Sequence, residues 1–154
     1  MQRHSGFSLM EILIALVIIG ILGSLVVGNF FGEVEKSQYL KLKSDFEAYE
    51  SGLMRYYNDN GFYPTTEQGL AALVEKPETN PEPNSYPRGG YLKKIQTDPW
   101  GNDYLYLSPA EYGEGDFEIV SLGNDKQEGG EGKAKDVFNW NVDEHIKELK
   151  NQEQ

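Results

Sequence analysis

The sequence predicts an α+β fold: one long N-terminal helix leading into a small antiparallel sheet. Three observations carry this reading. Ile12 to Gly32 is uncharged and almost wholly Ile, Leu, Val, Ala, Gly and Phe. Beyond it, Tyr39, Leu42, Phe46, Tyr49, Leu53 and Tyr56 recur three and four residues apart, the stripe of an amphipathic helix. From Pro64 onward, Pro- and Gly-rich turns separate short apolar and aromatic runs, which is the pattern of strands joined by loops.

No proline interrupts residues 7–63, so the apolar run and the stripe form a single helix from about Phe7 to about Tyr57. Such a helix is about 75 Å long at 1.5 Å per residue. Its first part, Ile12–Gly32, is long enough to span the roughly 30 Å hydrocarbon core of a bilayer. Gly20, Gly23 and Gly28 weaken the helix inside this run and permit close approach of a neighbouring helix. Asn58-Asp59-Asn60-Gly61 ends it, with Gly61 suited to a left-handed cap. Thr65 and Gln68 have capping-box spacing ahead of a short helix through Gly69–Val74. Pro77, Pro81, Pro83 and Pro87 make 77–90 a loop, and Asp98-Pro99-Trp100-Gly101-Asn102 reads as a turn. Tyr104–Leu107, Phe117–Ser121 and Val137–Trp140 are the expected strands. In the polar tail from Asn141, the spacing of Val142, Ile146 and Leu149 predicts a weakly amphipathic helix.

The chain has 154 residues, room for one domain and an anchor, and a formal net charge of −11. That acidity argues against a nucleic-acid partner. Arg3 precedes the apolar run while Glu33 and Glu35 follow it, a slight bias that places the N-terminus in the cytoplasm and the bulk outside. There is no cysteine, so no disulfide closes the C-terminal loops.

Gly6-Phe7-Ser8-Leu9-Met10-Glu11 closely resembles the processing site of type IV prepilins and type II secretion pseudopilins. The resemblance implies removal of a leader, residues 1–6, by a prepilin peptidase that cuts between Gly6 and Phe7. It also implies N-methylation of Phe7, and pairing of Glu11 with the new N-terminal amine of a neighbouring subunit during assembly. The physics suits that role. A lone carboxylate at the edge of an apolar segment is costly, and a nearby cation offsets much of the cost.

Several later blocks resemble the major pseudopilins of type II secretion more than other pilins. They are Tyr63–Leu70, Gly89-Gly90-Tyr91, Asp98–Tyr104, Leu107-Ser108-Pro109, Ser121–Asp125 and Asn139-Trp140. The implied architecture is type IV pilin-like: a transmembrane and filament-core helix over 7–32, a globular head over 33–140 and a polar tail over 141–154. The implied function is that of a structural subunit polymerising into a periplasmic pseudopilus that drives folded proteins across the outer membrane. The expected partners are further copies of the chain, minor pseudopilins, the prepilin peptidase, the inner-membrane assembly platform and the membrane itself. The expected location is the bacterial inner membrane, single-pass, with a periplasmic head. The alternative is a type IV pilin for adhesion, motility or DNA uptake.

The resemblance also implies one calcium ion in the loop from Leu122 to Asp136. The matching positions are the carbonyls of Leu122 and Gln127 and the carboxylates of Asp125 and Asp136. Hard cations take such mixtures of carboxylate and carbonyl oxygen. The family has two adjacent acids before the Asn-Trp pair, whereas here the first is Lys135. Two possibilities arise. Calcium binds with help from Glu128 or Glu131, or the ammonium of Lys133 or Lys135 neutralises Asp125 and Asp136 in its place. No catalytic constellation is present. His4 falls in the leader, His145 has no second histidine at metal-site spacing, and Gly129-Gly130-Glu131-Gly132 lacks the residues of a phosphate loop.

Overall fold

The computed structural model describes residues 8–152, and the side chains of all of these except 24–31 and 152. The chain divides into two compact units, one up to Ser37 and one from Gln38. The sequence pattern sets this division five residues earlier, at the last apolar residues. In the order of the chain the elements are α1 (Leu9–Asn60), β1 (Leu105–Leu107), β2 (Glu118–Ser121), β3 (Val137–Phe138) and α2 (Val142–Gln152), with short 3-10 turns at Leu70–Leu73 and Gly132–Ala134.

In the first unit, α1 starts directly after Ser8, whose carbonyl accepts the N–H groups of Glu11 and Ile12 at 3.0 and 3.2 Å. From Leu9 to Leu22 the large apolar side chains are exposed all round, as a helix with no amphipathic stripe must be. Among the described residues no helix is long and apolar enough to cross a membrane. The expected span Ile12–Gly32 includes residues 24–31, whose side chains lie outside the described set.

The second unit is built on the stripe. Tyr39, Leu42, Phe46, Tyr49, Leu53 and Tyr56 are all buried. They pack with Leu70, Leu73, Tyr91, Tyr104, Tyr106, Ile119, Val137, Val142 and Ile146 in one core. Burying an aromatic side chain releases a large apolar area, and here rings also meet edge to face: Tyr104 lies 5.5 Å from both Phe46 and Tyr49. The buried hydroxyls mostly have partners. Tyr49 donates to the Gln96 carbonyl at 2.9 Å, Tyr104 to Asp45 at 2.7 Å and Tyr106 to the Pro64 carbonyl at 2.9 Å. Burial pushes the Tyr49 phenol up to about 12 and Tyr104 higher still.

The helix ends as expected, with Gly61 at φ +81 behind Asn60. The capping box forms in both directions: Thr65 N–H donates to Gln68 Oε1 at 3.1 Å, and Gln68 N–H to Thr65 Oγ1 at 3.2 Å. The short helix expected through Gly69–Val74 is a 3-10 helix at Leu70–Leu73. Gly69 stands at φ +61 ahead of it, a conformation that an α-helix excludes.

The sheet is antiparallel in the order β1-β2-β3. Leu105, Val120 and Phe138 face one another across the three strands, as do Tyr106 and Ile119 on β1 and β2. Tyr106, Ile119 and Val137 join the core with α1. Each strand is shorter than the sequence pattern suggests, because Tyr104, Phe117 and Asn139 lie just outside the ladder. In the tail, Val142–Gln152 is helical. α2 buries Val142 and Ile146, seats Leu149 against the core, and ties to α1 through Lys43 Nζ and Asp143 Oδ1 at 2.6 Å.

Candidate functional site

Two sites were expected. At the first, Gly6 and Phe7 lie outside the described residues. Glu11 is in the first turn of α1 and exposed, with Leu9, Met10, Ile12 and Leu13 exposed around it. An acid in the first turn is favoured by the helix dipole. It also leaves a carboxylate, at the start of an apolar surface, with no ion pair among the described residues.

The second site is the loop between β2 and β3. Its entrance is braced from a distance. Asp98 is buried: Oδ1 accepts the N–H of Trp100 at 3.0 Å and of Asn102 at 2.7 Å, while Oδ2 accepts the Ser121 hydroxyl at 2.7 Å. This Asx turn aims Asn102, whose Nδ2 donates to the Gly123 carbonyl at 2.7 Å. Gly123 itself, at φ +64, runs so close to the returning chain that a Cβ would sit 2.7 Å from the Lys133 carbonyl. That carbonyl accepts Asn124 N–H at 3.0 Å. The turn Asp98–Asn102 and Ser121 thus position the loop, a role invisible in sequence because it depends on contacts about twenty residues apart.

Within the loop, Asp125 Oδ1 accepts Gln127 N–H at 3.2 Å and Asp136 Oδ2 accepts Gly129 N–H at 2.8 Å. Asp136 Oδ1 is buried with no hydrogen-bond partner among the described residues. Burial, followed by the charges of Glu128 and Asp125, raises the Asp136 pKa, against the lowering effect of the Gly129 N–H. A buried unpaired carboxylate oxygen in a field of other acids is costly, and a cation there would relieve it. The residues therefore fit a hard cation. Of the two helper acids considered, Glu128 is the one whose charge reaches Asp136. Leu122, Glu128, Gly129 and Asp136 line a common cleft, whereas Asp125 and Gln127 are not on its walls. Among the described residues no group of three acids or histidines converges, so carbonyl oxygens would have to complete the set. The alternative to a cation is the neutralising ammonium of Lys133 or Lys135, and Lys135 does not take that place. Its charge acts on His145, and among the described residues it makes no ion pair with Asp125 or Asp136.

A helix with an exposed apolar start, whose later stripe seats a small antiparallel sheet, defines a subunit of the type IV pilin-like class. Comparison with known proteins gives the particular family. The model of "Type II secretion system (T2SS), protein G" matches residues 29–140, and the prokaryotic N-terminal methylation motif matches residues 1–27. The type II secretion system core protein G of Vibrio cholerae serotype O1 is 51% identical over 142 residues, covering 92% of this chain and 95% of that protein. The corresponding protein of Pseudomonas aeruginosa is 45% identical, covering 90% and 96%. Among solved structures, the major pseudopilin from the type 2 secretion system of enterohaemorrhagic Escherichia coli matches with a TM-score of 0.64 at 45% identity, covering 73% of this chain and 94% of that one. The chain belongs to the protein G family of type II secretion systems.

Proposed function

We propose that this chain is the structural subunit of a type II secretion pseudopilus and not an enzyme. Membership of the protein G family carries the reading, together with the methylation motif over residues 1–27. In this reading the leader 1–6 is removed after Gly6 and Phe7 is methylated. The chain is held by its apolar helix in the inner membrane with its head in the periplasm. There it polymerises, together with minor pseudopilins and the assembly platform, to drive export across the outer membrane. Glu11 pairs with the Phe7 amine of a neighbour and sets the axial register. A charge pair in apolar surroundings is strong only when both partners are present, so removing one is costly. Glu11→Ala should leave insertion and cleavage unchanged and abolish or sharply reduce filaments, read by shearing and immunoblot against the wild type. Normal filament yield would overturn the role given to Glu11.

Calcium belongs to the same reading. The carbonyls of Leu122 and Gln127 and the carboxylates of Asp125 and Asp136 would hold it, with Glu128 as an additional acid. When bound, the ion supplies a non-covalent cross-link between the two arms of a loop that cannot be stapled by cysteine. Such a clip stabilises by binding the folded chain in preference to the unfolded one.

A further inference from the structure

The family models match residues 1–27 and 29–140, so α2 lies beyond both. It is nonetheless built into the head. Val142 and Ile146 are buried, Leu149 packs on the same core, and Lys43 of α1 meets Asp143 at 2.6 Å. The chain specifies this helix locally. The Asn141 carbonyl accepts the Glu144 N–H at 3.0 Å, and Asp143 and Glu144 suit the positive end of the helix dipole.

The corner between Asp136 and α2 has little slack. Val137 is fully buried. Asn141 Oδ1 reaches back to accept the Phe138 N–H at 2.8 Å, and the Phe138 carbonyl accepts the Asn141 N–H at 3.1 Å. Asn139 is held on both sides. Its Oδ1 accepts the Ile119 N–H at 3.0 Å, and its Nδ2 donates to Glu50 Oε1 on α1 at 2.7 Å. β3 contributes only two residues to the sheet, and so short a pairing is weak alone. The apolar face of α2 supplies the remaining hold on this corner. Asp136 stands directly before it, where its Oδ2 accepts the Gly129 N–H at 2.8 Å.

We propose that α2 is a second brace of the acidic loop, whose docking on α1 positions the Asp136 carboxylate before any cation arrives. The inference deepens the cation reading given above. A ligand oxygen already held in place loses less freedom when an ion binds, so α2 raises the affinity for calcium. By linkage, calcium tightens α2 on α1 by the same factor. The Gly129–Asp136 bond gives the brace a readout that needs no ion.

The test uses the full ¹⁵N-labelled chain in detergent micelles, first with chelator. Ile146→Asn puts an amide into the apolar α1–α2 contact without adding charge. The Gly129 amide proton should then move by about half or more of the way to its position in Asp136→Ala, which lacks the acceptor. Leu53→Ala truncates the same core farther along α1 and should leave that signal in place. In a calorimetric titration the calcium dissociation constant should rise several-fold in Ile146→Asn and stay unchanged in Leu53→Ala. Val142→Ala, the milder change, should move both readings the same way by a smaller factor. The proposal is overturned by an unmoved Gly129 signal in both α2 variants, or by an equal movement in Leu53→Ala. An unchanged calcium affinity beside a displaced Gly129 signal would also overturn it. Absence of calcium heat in the unaltered chain, with the Gly129 response present, would remove calcium from the reading and leave the brace supported.

Discussion

At the scale of single residues, the polar groups inside the head divide into those with partners and those without. Glu118 is the extreme case of the first kind: fully buried, its Oε1 accepts the backbone N–H groups of Glu111 and Tyr112 at 2.8 and 3.0 Å, and its Oε2 accepts that of Gly113 at 3.1 Å with the Trp140 indole nitrogen 3.5 Å away. Truncation strands those donors, and each unsatisfied buried group costs about 1–3 kcal/mol. Glu118→Ala should therefore lower stability by about 3 kcal/mol or more, measured by urea unfolding, with loss of the Trp140 environment seen in its fluorescence. Tyr56 is the opposite case, because its buried hydroxyl has no hydrogen-bond partner among the described residues. Tyr56→Phe should be neutral or slightly stabilising in the same assay, whereas Tyr104→Phe, which breaks a bond to Asp45, should lose about 1 kcal/mol. None of this is legible in the sequence alone. There Glu118 is one acid in a strand, and its partners are backbone groups of a loop that only folding brings near.

At the scale of elements, legibility follows periodicity. The aromatic stripe of α1 and the Thr65–Gln68 capping box depend on neighbours in sequence, and both appear where expected. Strand ends and the turn at Leu70–Leu73 depend on tertiary contacts and shifted by one or two residues. α2 is visible only in the spacing of Val142, Ile146 and Leu149, and nothing local indicates that His145 is buried. His145 stacks on Tyr39 with centroids 5.6 Å apart. Burial first, and then Lys135, lower its pKa below the usual 6.5, against the raising effects of Glu148 and Glu144. The unfolded chain consequently binds this proton more readily than the folded one. Stability is then highest above the ordinary value and falls as pH drops through 6.5 toward the lower folded value. The Lys43–Asp143 pair adds little in that window, since Asp143 is held below its ordinary 3.8 and its contribution is lost only in stronger acid. Thermal unfolding between pH 7.5 and 5 should show a falling midpoint that His145→Phe flattens.

At the scale of the whole molecule, the family and its pilin-like architecture are legible because many short blocks occur in order from Gly6 to Trp140. The candidate cation site is legible only through that resemblance. Its acids carry no spacing pattern of their own, and its brace at Asn102 lies in another part of the chain. Saturating calcium should raise the melting temperature of the full chain by several degrees, since a ligand at 100 times its dissociation constant adds about 2.7 kcal/mol. Asp136→Asn should remove most of the increase. An unchanged midpoint and no heat in a calorimetric titration would eliminate calcium from the reading.

The Asn102–Gly123 bond moors the start of the acidic loop. Its amides should not exchange alike in heavy water. Asn124, bonded to the Lys133 carbonyl, should be slow from the outset, whereas the exposed amides of Lys126 and Glu128 should exchange freely and slow only once an ion arrives. Isotope uptake along these few positions would thus record occupancy as a wave of protection moving outward from the mooring.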